Sequence, residues 1–348
     1  MCNVKDEEIC VVTGKELSTV PYNLVLANGL IEASHDLVLN ENKLINAVIA
    51  QIGMYDKEIK TFEFTTKQLQ NICNLNPLHI KRTLNTIRKN LLNKTFSLKD
   101  SIERNGQTEE VTTEYHWIRY ITYNDNRWII RLSDDLAPLL LNLTKEFTSK
   151  RLSQIQTYES IYSQRLDMLF TMYFNKKTYK MSFENKINYE TKIQYSLIEF
   201  KKLFRLEDKY SDYNNFYRFV LKPALDEINE KGYYSVSFEK KVGKNNKCEG
   251  IVLFFSLGEK TKKEMKEKKE NGTEKIKKLL YYFSFSKKEV DSILEKISLK
   301  EIENIFKELA IKKDSLSDKE KTVFVKEKIN KLILEQDRDV LLASYLDS

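Results

Sequence analysis

The sequence is poor in the residues that interrupt regular structure. Its 348 residues include only 9 glycines and 4 prolines, so little of the chain is available for loops. The length suffices for two or three domains, each with a core of its own.

Metal ligands and disulfide-forming residues are also scarce. The four cysteines contain no C-x-x-C pair, and the three histidines include no pair at ligand spacing. We therefore expect reduced thiols and no bound metal.

The chain lacks the catalytic motifs that its composition could otherwise support. Gly14-Lys15 has neither the upstream glycine nor the following hydroxyl of a P-loop, and no G-x-S-x-G occurs. Tyrosines are plentiful, but the paired histidines of a DNA-nicking enzyme are missing. We expect a binding protein without a cofactor rather than an enzyme.

Membrane and export signals are absent from the sequence as well. No run of about 18 apolar residues occurs, and the N-terminus does not combine a basic end with an apolar stretch. A cytoplasmic protein with no membrane partner is the expectation.

What the chain does contain is charge. Charged residues make up 31% of it, with a net charge of +7 and a pI near 8.8. This excess is too modest to identify a nucleic-acid partner, so the position of the charges carries more information.

Two segments, Phe64–Leu75 and Tyr195–Leu206, form an internal repeat at a constant offset. Each begins with a capping box and continues with apolar residues at matching positions. The two boxes are Thr65 with Gln68 and Ser196 with Glu199.

A second helix and a hairpin follow the first repeat. Asn76-Pro77 is a helix-start signal, and the segment after it has an apolar face opposite a basic, amide-rich one. The segments KTFSLK, HWIRYITY and RWIIRLS alternate in polarity and predict a small antiparallel sheet. The series predicts a winged helix-turn-helix.

The second repeat is followed by the same series. The segment KYSDYNNFYRFVLKPALDEINEK predicts a helix, and YYSVSFEKK and GIVLFFS predict a hairpin whose lysine-rich turn forms a wing. On a helical wheel Asn214, Arg218, Lys222 and Asn229 share a polar quadrant. The apolar face opposite comprises Phe216, Phe219, Val220, Pro223 and Ala224.

Pro223 lies in the middle of this predicted helix, where proline costs roughly 3 kcal/mol. We expect a bend there, with Tyr213–Lys222 in a DNA groove and Ala224–Ile228 in the core. A new helix starting at Pro223 is the alternative, although Leu221 and Lys222 are poor caps.

The sequence resembles the iteron-binding plasmid replication initiators built from two winged-helix domains. The resemblance covers Asn23–Ser256 and includes the segments SIYSQRLDMLF, KYSDYNNFYRFVLKPALDEIN and YSVSFEKKVGKNNKCEGIVLFF. The chain departs from more arginine-rich relatives by having Tyr217 and Phe219 beside Arg218.

The resemblance implies a protein that binds direct repeats in double-stranded DNA at a plasmid origin. It also implies opening of an adjacent AT-rich segment, recruitment of the host initiator ATPase and replicative helicase, and a monomer–dimer equilibrium in which dimers repress the protein's own promoter. By position, the expected contacts in the second domain are Asn214, Arg218 and Lys222. Those in the first domain have more phosphate character and include Arg82, Asn85 and Lys89.

The expected fold is α+β and mostly helical, with tandem winged helix-turn-helix domains followed by a small all-α C-terminal module. The expected DNA-binding residues are His79, Arg82, Asn85, Thr86, Lys89, Asn214, Arg218, Lys222, Lys240, Lys241 and Lys244. The expected parts are a flexible arm (1–22), a first winged-helix domain (23–147), a connecting helix (148–180), a second winged-helix domain (181–258), a charged linker (259–275) and a helical module (276–340).

Some alternatives remain open at this point. The charged linker is expected to form either a solvated helix or a loose connection. The helical module is expected to be either a stabilising appendage or a surface for self-association or for binding a host protein. A winged-helix transcription regulator, or a scaffold that binds only proteins, would contain many of the same residues.

Overall fold

The computed structural model describes residues 9–11, 23–53, 56–73, 75–104, 107–124, 126–243, 247–312 and 316–346. The strands are β1 (Ile9–Val11), β2 (Asn23–Ala27), β3 (Ser34–His35), β4 (Thr61–Thr65), β5 (Thr95–Arg104), β6 (Gln107–His116), β7 (Ile118–Tyr123), β8 (Arg127–Leu132), β9 (Phe147–Arg151), β10 (Glu190–Ser196), β11 (Tyr234–Val242) and β12 (Cys248–Leu257).

The helices are α1 (Asn28–Glu32), α2 (Leu39–Ile49), α3 (Thr66–Cys73), α4 (Ile80–Leu91), α5 (Ala137–Leu140), α6 (Leu152–Ile155), α7 (Ile161–Thr178), α8 (Phe183–Asn188), α9 (Leu197–Leu203), α10 (Tyr213–Phe216), α11 (Lys222–Lys231), α12 (Glu259–Tyr282), α13 (Lys287–Lys296), α14 (Leu299–Ile311) and α15 (Asp318–Leu346). The chain forms two compact units, Met1–Thr261 and Lys262–Ser348.

Both copies of the repeat fold as a strand, two helices and a hairpin, and in both the first strand pairs with the second strand of the hairpin. The strand orders are β4-β8-β7 and β10-β12-β11, with Phe64 opposite Trp128 and Tyr195 opposite Ile251. The capping boxes at Thr65 and Ser196 are formed. The predicted tandem winged helix-turn-helix fold is confirmed.

The first copy contains an insertion, and the sequence-based prediction for its first strand is wrong. KTFSLK was expected in the wing sheet, but it begins β5, which pairs with β6 and β3 in a separate sheet. Its alternating pattern fits any strand with one buried face, so the pattern cannot identify the partner.

Two other expectations differ from the structure. Within the expected flexible arm, Ile9–Val11 form β1, which pairs in parallel with β4; the rest of the arm lies outside the described residues. The segment 148–180 begins in β9, which pairs with β2, and becomes the long helix α7 only at Ile161. The domain boundaries themselves stay predictions.

Helix α7 joins the two winged-helix copies through a buried arginine. The Arg165 guanidinium donates hydrogen bonds to the carbonyls of Ala33 (2.6 Å) and His35 (3.2 Å) in the first copy and Leu203 in the second. Burial lowers the pKa of Arg165 to about 9, so the side chain remains charged at neutral pH. A buried cation with three carbonyl acceptors fixes both copies against one helix.

A second arginine also connects the two copies. Arg205, in the turn after α9, donates to the Thr95 hydroxyl (3.0 Å), the Ser97 hydroxyl (2.7 Å) and the Glu114 carboxylate (3.0 Å) on the β5–β6 hairpin. The insertion in the first copy therefore contacts the second copy directly.

Helix α11 of the second copy also packs on α7. The Glu227 carboxylate on α11 accepts hydrogen bonds from the backbone N–H groups of Glu159 (2.6 Å) and Ser160 (3.2 Å). These groups lie at the start of α7, where a negative charge is favourable.

The second compact unit is helical. Its three S-x-x-E boxes, starting at Ser286, Ser298 and Ser317, are formed. The charged segment 259–275, for which a helix and a loose linker were both open, lies within α12. The core of the unit comprises Ile276, Leu280, Phe283, Phe285, Val290, Ile293, Ile297, Ile302, Ile305, Leu309, Val325 and Ile329.

Candidate nucleic-acid interface

The first candidate recognition helix is α4, preceded by a 3-10 turn at Pro77–His79. The Asn76 side chain caps this turn by accepting a hydrogen bond from the Leu78 N–H at 2.9 Å. Four of the five predicted side chains are exposed: His79, Arg82, Thr86 and Lys89. The core positions Leu84, Ile87 and Leu91 are buried on the opposite side.

Asn85, the fifth predicted residue, lies on the flank of α4 that faces the wing. Its side chain is half-buried, and its Oδ1 accepts no hydrogen bond from any described residue. It lines a cavity of about 100 Å³ together with Leu84, Tyr123 and Trp128. The structure therefore separates Asn85 from the fully exposed row.

Arg88, in the same helix, was not predicted as part of the interface. The Arg88 guanidinium carbon lies 4.3 Å from the centroid of the Tyr123 ring in the wing, within the range of a cation–π contact. No pattern along α4 could predict this contact, because Tyr123 is on a distant strand.

The second candidate recognition helix runs from Tyr213 to Lys231 and is continuous. α10 and α11 are joined by a π turn at Tyr217–Leu221, in which the Lys222 N–H donates to the Tyr217 carbonyl. The backbone is right-handed helical at Phe216, Leu221 and Lys222. A new helix starting at Pro223 is therefore wrong.

The π turn ends at Leu221, two residues before Pro223, and this position explains how the helix tolerates the proline. A proline inside an α-helix lacks the N–H for the usual bond and clashes with the carbonyl four residues earlier. The bond from Lys222 to Tyr217 spans one residue more than an α-helical bond, so the carbonyls before the proline are rearranged. The π turn, which was not predicted from the sequence, accommodates the proline.

The π turn also changes which residues face the solvent. Residues four apart in a regular α-helix drift by about 40° per step, and the wider turn offsets this drift. One set of buried positions recurs at every fourth residue, Phe216, Val220, Ala224 and Ile228, with Leu221 and Leu225 buried beside it. The exposed positions do the same in two neighbouring rows, one comprising Asn214, Arg218, Lys222 and Asp226 and the other Asn215, Phe219 and Pro223.

Three of the four predicted polar residues, Asn214, Arg218 and Lys222, are thus exposed in one row, but part of the predicted apolar face is wrong. Phe219 is 55% exposed and Pro223 is exposed, because the extra residue in the π turn shifts them away from the core. Asn229 does not extend the polar row: its side chain exchanges hydrogen bonds with the backbone of Val236.

Lys222 is partnered within its row. Its Nζ forms an ion pair with the Asp226 carboxylate four residues later, and both side chains are more than half exposed. The hydrogen bond from this amine to the carboxylate raises the pKa of Lys222. An anionic ligand at Lys222 must therefore replace Asp226 or share the amine with it.

The wing of the second copy approaches the start of its recognition helix. The Lys240 Nζ lies 5.0 Å from the centroid of the Tyr213 ring, which stacks on Tyr217. Lys241 is exposed on the same strand. Lys244, the third predicted wing residue, lies outside the described residues.

Two other features, a metal site and a membrane-spanning helix, are absent from the described part of the chain. It contains no group of three or more His, Cys, Asp or Glu side chains arranged to hold a metal ion. None of its helices has the length and hydropathy needed to cross a membrane.

Two family models match this chain. The model described as "Initiator Replication protein, WH1" matches residues 23–171, and "Initiator Rep protein, WH2" matches residues 196–255. Together the matches cover more than half of the chain.

A curated relative and a solved structure are similar as well. A replication initiation protein of Escherichia coli is 23% identical over 220 residues, which span 62% of this chain and 64% of the relative. A crystal structure of the Pi initiator protein in complex with iteron DNA has a TM-score of 0.49 and 19% identity, covering 69% of this chain and 98% of the other.

Proposed function

This chain belongs to the initiator replication protein family, and we propose on that premise that it initiates plasmid replication by binding direct repeats in double-stranded DNA. The role is one of sequence-specific binding in the cytoplasm, without a catalytic step or a cofactor. Opening of the origin and recruitment of the host initiator ATPase and helicase follow from that binding.

The observation that carries the proposal is the row formed by Asn214, Arg218 and Lys222. Amide, guanidinium and ammonium groups are the side chains that reach base edges and phosphates in a major groove. The row lies on the exposed side of a helix whose other side packs on the core, as in a helix-turn-helix.

The first winged helix adds a second contact of a different kind. His79, Arg82, Thr86 and Lys89 are exposed on α4 and suit phosphates as well as bases. The proposed contacts in full are His79, Arg82, Asn85, Thr86, Lys89, Asn214, Arg218, Lys222 and the wing lysines 240, 241 and 244.

Two recognition helices in one compact unit suit two successive major grooves. One binding unit should then protect about two helical turns, or ~20 base pairs. We further propose that the protein exists as monomer and dimer, with the dimer repressing its own promoter.

Nuclease footprinting on the DNA upstream of the gene tests the proposal. We expect protected direct repeats of about two turns, which the Arg218→Ala variant protects weakly or with relaxed sequence preference. Arg104→Ala, which removes an exposed arginine on β5, is the matched control and should protect like the wild type.

The possible outcomes distinguish a replication initiator from a transcription regulator and from a protein scaffold. A single inverted repeat that Arg218→Ala binds as well as the wild type does would indicate a transcription regulator instead. An absence of salt-sensitive DNA binding would indicate a protein scaffold, because neutralising phosphates makes binding depend steeply on salt.

A further inference from the structure

Phe219 is an apolar side chain in an unusual place, on the solvent side of a helix proposed to enter DNA. Its side chain is 55% exposed and lies in the row next to Asn214, Arg218 and Lys222. Single exposed apolar residues are common, so exposure alone assigns it no purpose. The surroundings of the ring supply the argument.

The Phe219 ring is held in position from one side by Tyr210. The two ring centroids are 6.4 Å apart, with an angle of 28° between the planes. Tyr210 has a left-handed backbone (φ 55°), which is unfavourable for a residue other than glycine. An unfavourable conformation persists only where neighbouring groups stabilise it.

Lys201 is the group that stabilises this turn. Its side chain is only 7% exposed, and its Nζ donates hydrogen bonds to the carbonyls of Tyr210 (2.7 Å) and Lys209 (3.3 Å). The buried amine therefore fixes the turn that carries Tyr210, and Tyr210 limits the positions open to the Phe219 ring. Such an arrangement lowers the entropy lost when the ring contacts a ligand.

The charge around the ring indicates what it contacts. The Arg218 guanidinium carbon lies 5.3 Å from the ring centroid, and Lys222 follows in the adjacent row. An apolar group set among cations suits an anionic partner with an apolar feature of its own. In the major groove that feature is the C5-methyl group of thymine, which phenylalanine contacts.

We propose that Phe219 is a specificity-determining residue that selects thymine through its methyl group, one or two base pairs from the base that Arg218 contacts. The inference rests on the proposed function and names a base that the binding site must contain. Lys201 and Tyr210 are positioning residues for the ring.

Replacing each thymine of the footprinted site in turn by deoxyuridine tests the inference, since deoxyuridine lacks only the methyl group. For the wild-type protein we expect one thymine whose replacement weakens binding about threefold to fivefold, as for the loss of one buried methyl contact. Phe219→Ala should bind the two versions of that site equally. Asn215→Ala, in the same exposed row, should keep the discrimination.

For each variant, the affinity for the thymine site is compared with the affinity for the deoxyuridine site. This ratio does not depend on how much of the variant is active. A Phe219→Ala protein that still discriminates thymine from deoxyuridine at that position would overturn the inference, as would a wild-type protein indifferent to every replacement. Failure of the wild type to bind the repeats at all would instead contradict the proposed function.

Discussion

The two candidate recognition helices present their exposed side chains in different ways. In α4 the exposed side chains of Arg82, Thr86 and Lys89 follow the four- and three-residue spacing of a regular α-helix, whereas Asn214, Arg218 and Lys222 are exposed at every fourth residue through a π turn. Asn214 is exposed beside Arg218 and both side chains can pair with base edges, whereas the predicted amide of α4, Asn85, is half-buried. We infer that the second helix reads bases and the first mainly positions the protein on phosphates.

The largest effect on stability is expected when the contacts of Arg165, which connect the two winged-helix copies, are removed. Arg165→Ala leaves three buried carbonyls without their donor, and we expect it to lower the free energy of unfolding by about 3 kcal/mol or more. Chemical denaturation measures this change. Arg104→Ala is the surface control, and an unchanged denaturation midpoint for Arg165→Ala would show that the two copies are held together in another way.

Removing one arginine from each helix tests directly whether one helix reads bases and the other mainly contacts phosphates. Arg218→Ala should lose about 1–3 kcal/mol of binding free energy on the specific site and relax the preference for one base. Arg82→Ala should weaken binding to specific and random DNA alike. Titrations on both kinds of DNA at two salt concentrations measure the two effects. Equal loss of specificity in both variants would remove the distinction between the helices.

Lowering the pH should reduce the stability of the protein because of His35 in the first copy. This side chain is buried against Trp117, and burial lowers the pKa of His35 well below its ordinary value, with nearby Arg165, Arg205 and Lys94 adding to the effect. Below about pH 6.5 the unfolded chain binds a proton that the folded chain does not.

Stability should therefore fall as the pH falls below about 6.5, by up to about 1.4 kcal/mol per pH unit until the pH reaches the lowered pKa of the folded state. Denaturation midpoints between pH 7.5 and 5 measure the slope. His35→Asn should flatten it, whereas His79→Asn, at an exposed position on the first helix, should leave it as it is. A wild-type slope that His35→Asn retains would rule out this origin.

The sequence predicted the repeat, its capping boxes and both hairpins because these depend on local chemistry and period. It did not predict the β5–β6 insertion, since the partner of β5 depends on which surfaces need covering. It also placed Phe219 and Pro223 on the buried face, because a wheel with a fixed 3.6-residue period cannot represent a π turn. Contacts between distant elements, such as Arg88 with Tyr123 and Arg165 with three carbonyls, have no signal along the chain.

Replacing Pro223 should have the smallest effect. It tests what keeps the exposed side chains of the second helix in one row. Phe216 and Val220 are buried before the proline, and Ala224 and Ile228 after it, so packing on both sides holds the register of the π turn. Because Pro223 is exposed, Pro223→Ala changes little of this packing and removes a residue that disfavours helix.

We expect Pro223→Ala to stabilise the protein by about 1 kcal/mol and to leave DNA affinity unchanged, as measured by denaturation and titration. Asn215→Ala is the matched control at another exposed position of the same helix. If affinity fell while stability rose, the proline itself, rather than the packing beneath it, would keep the π turn in place. The row would then be strained, and the proline would be tolerated because it favours DNA binding over stability.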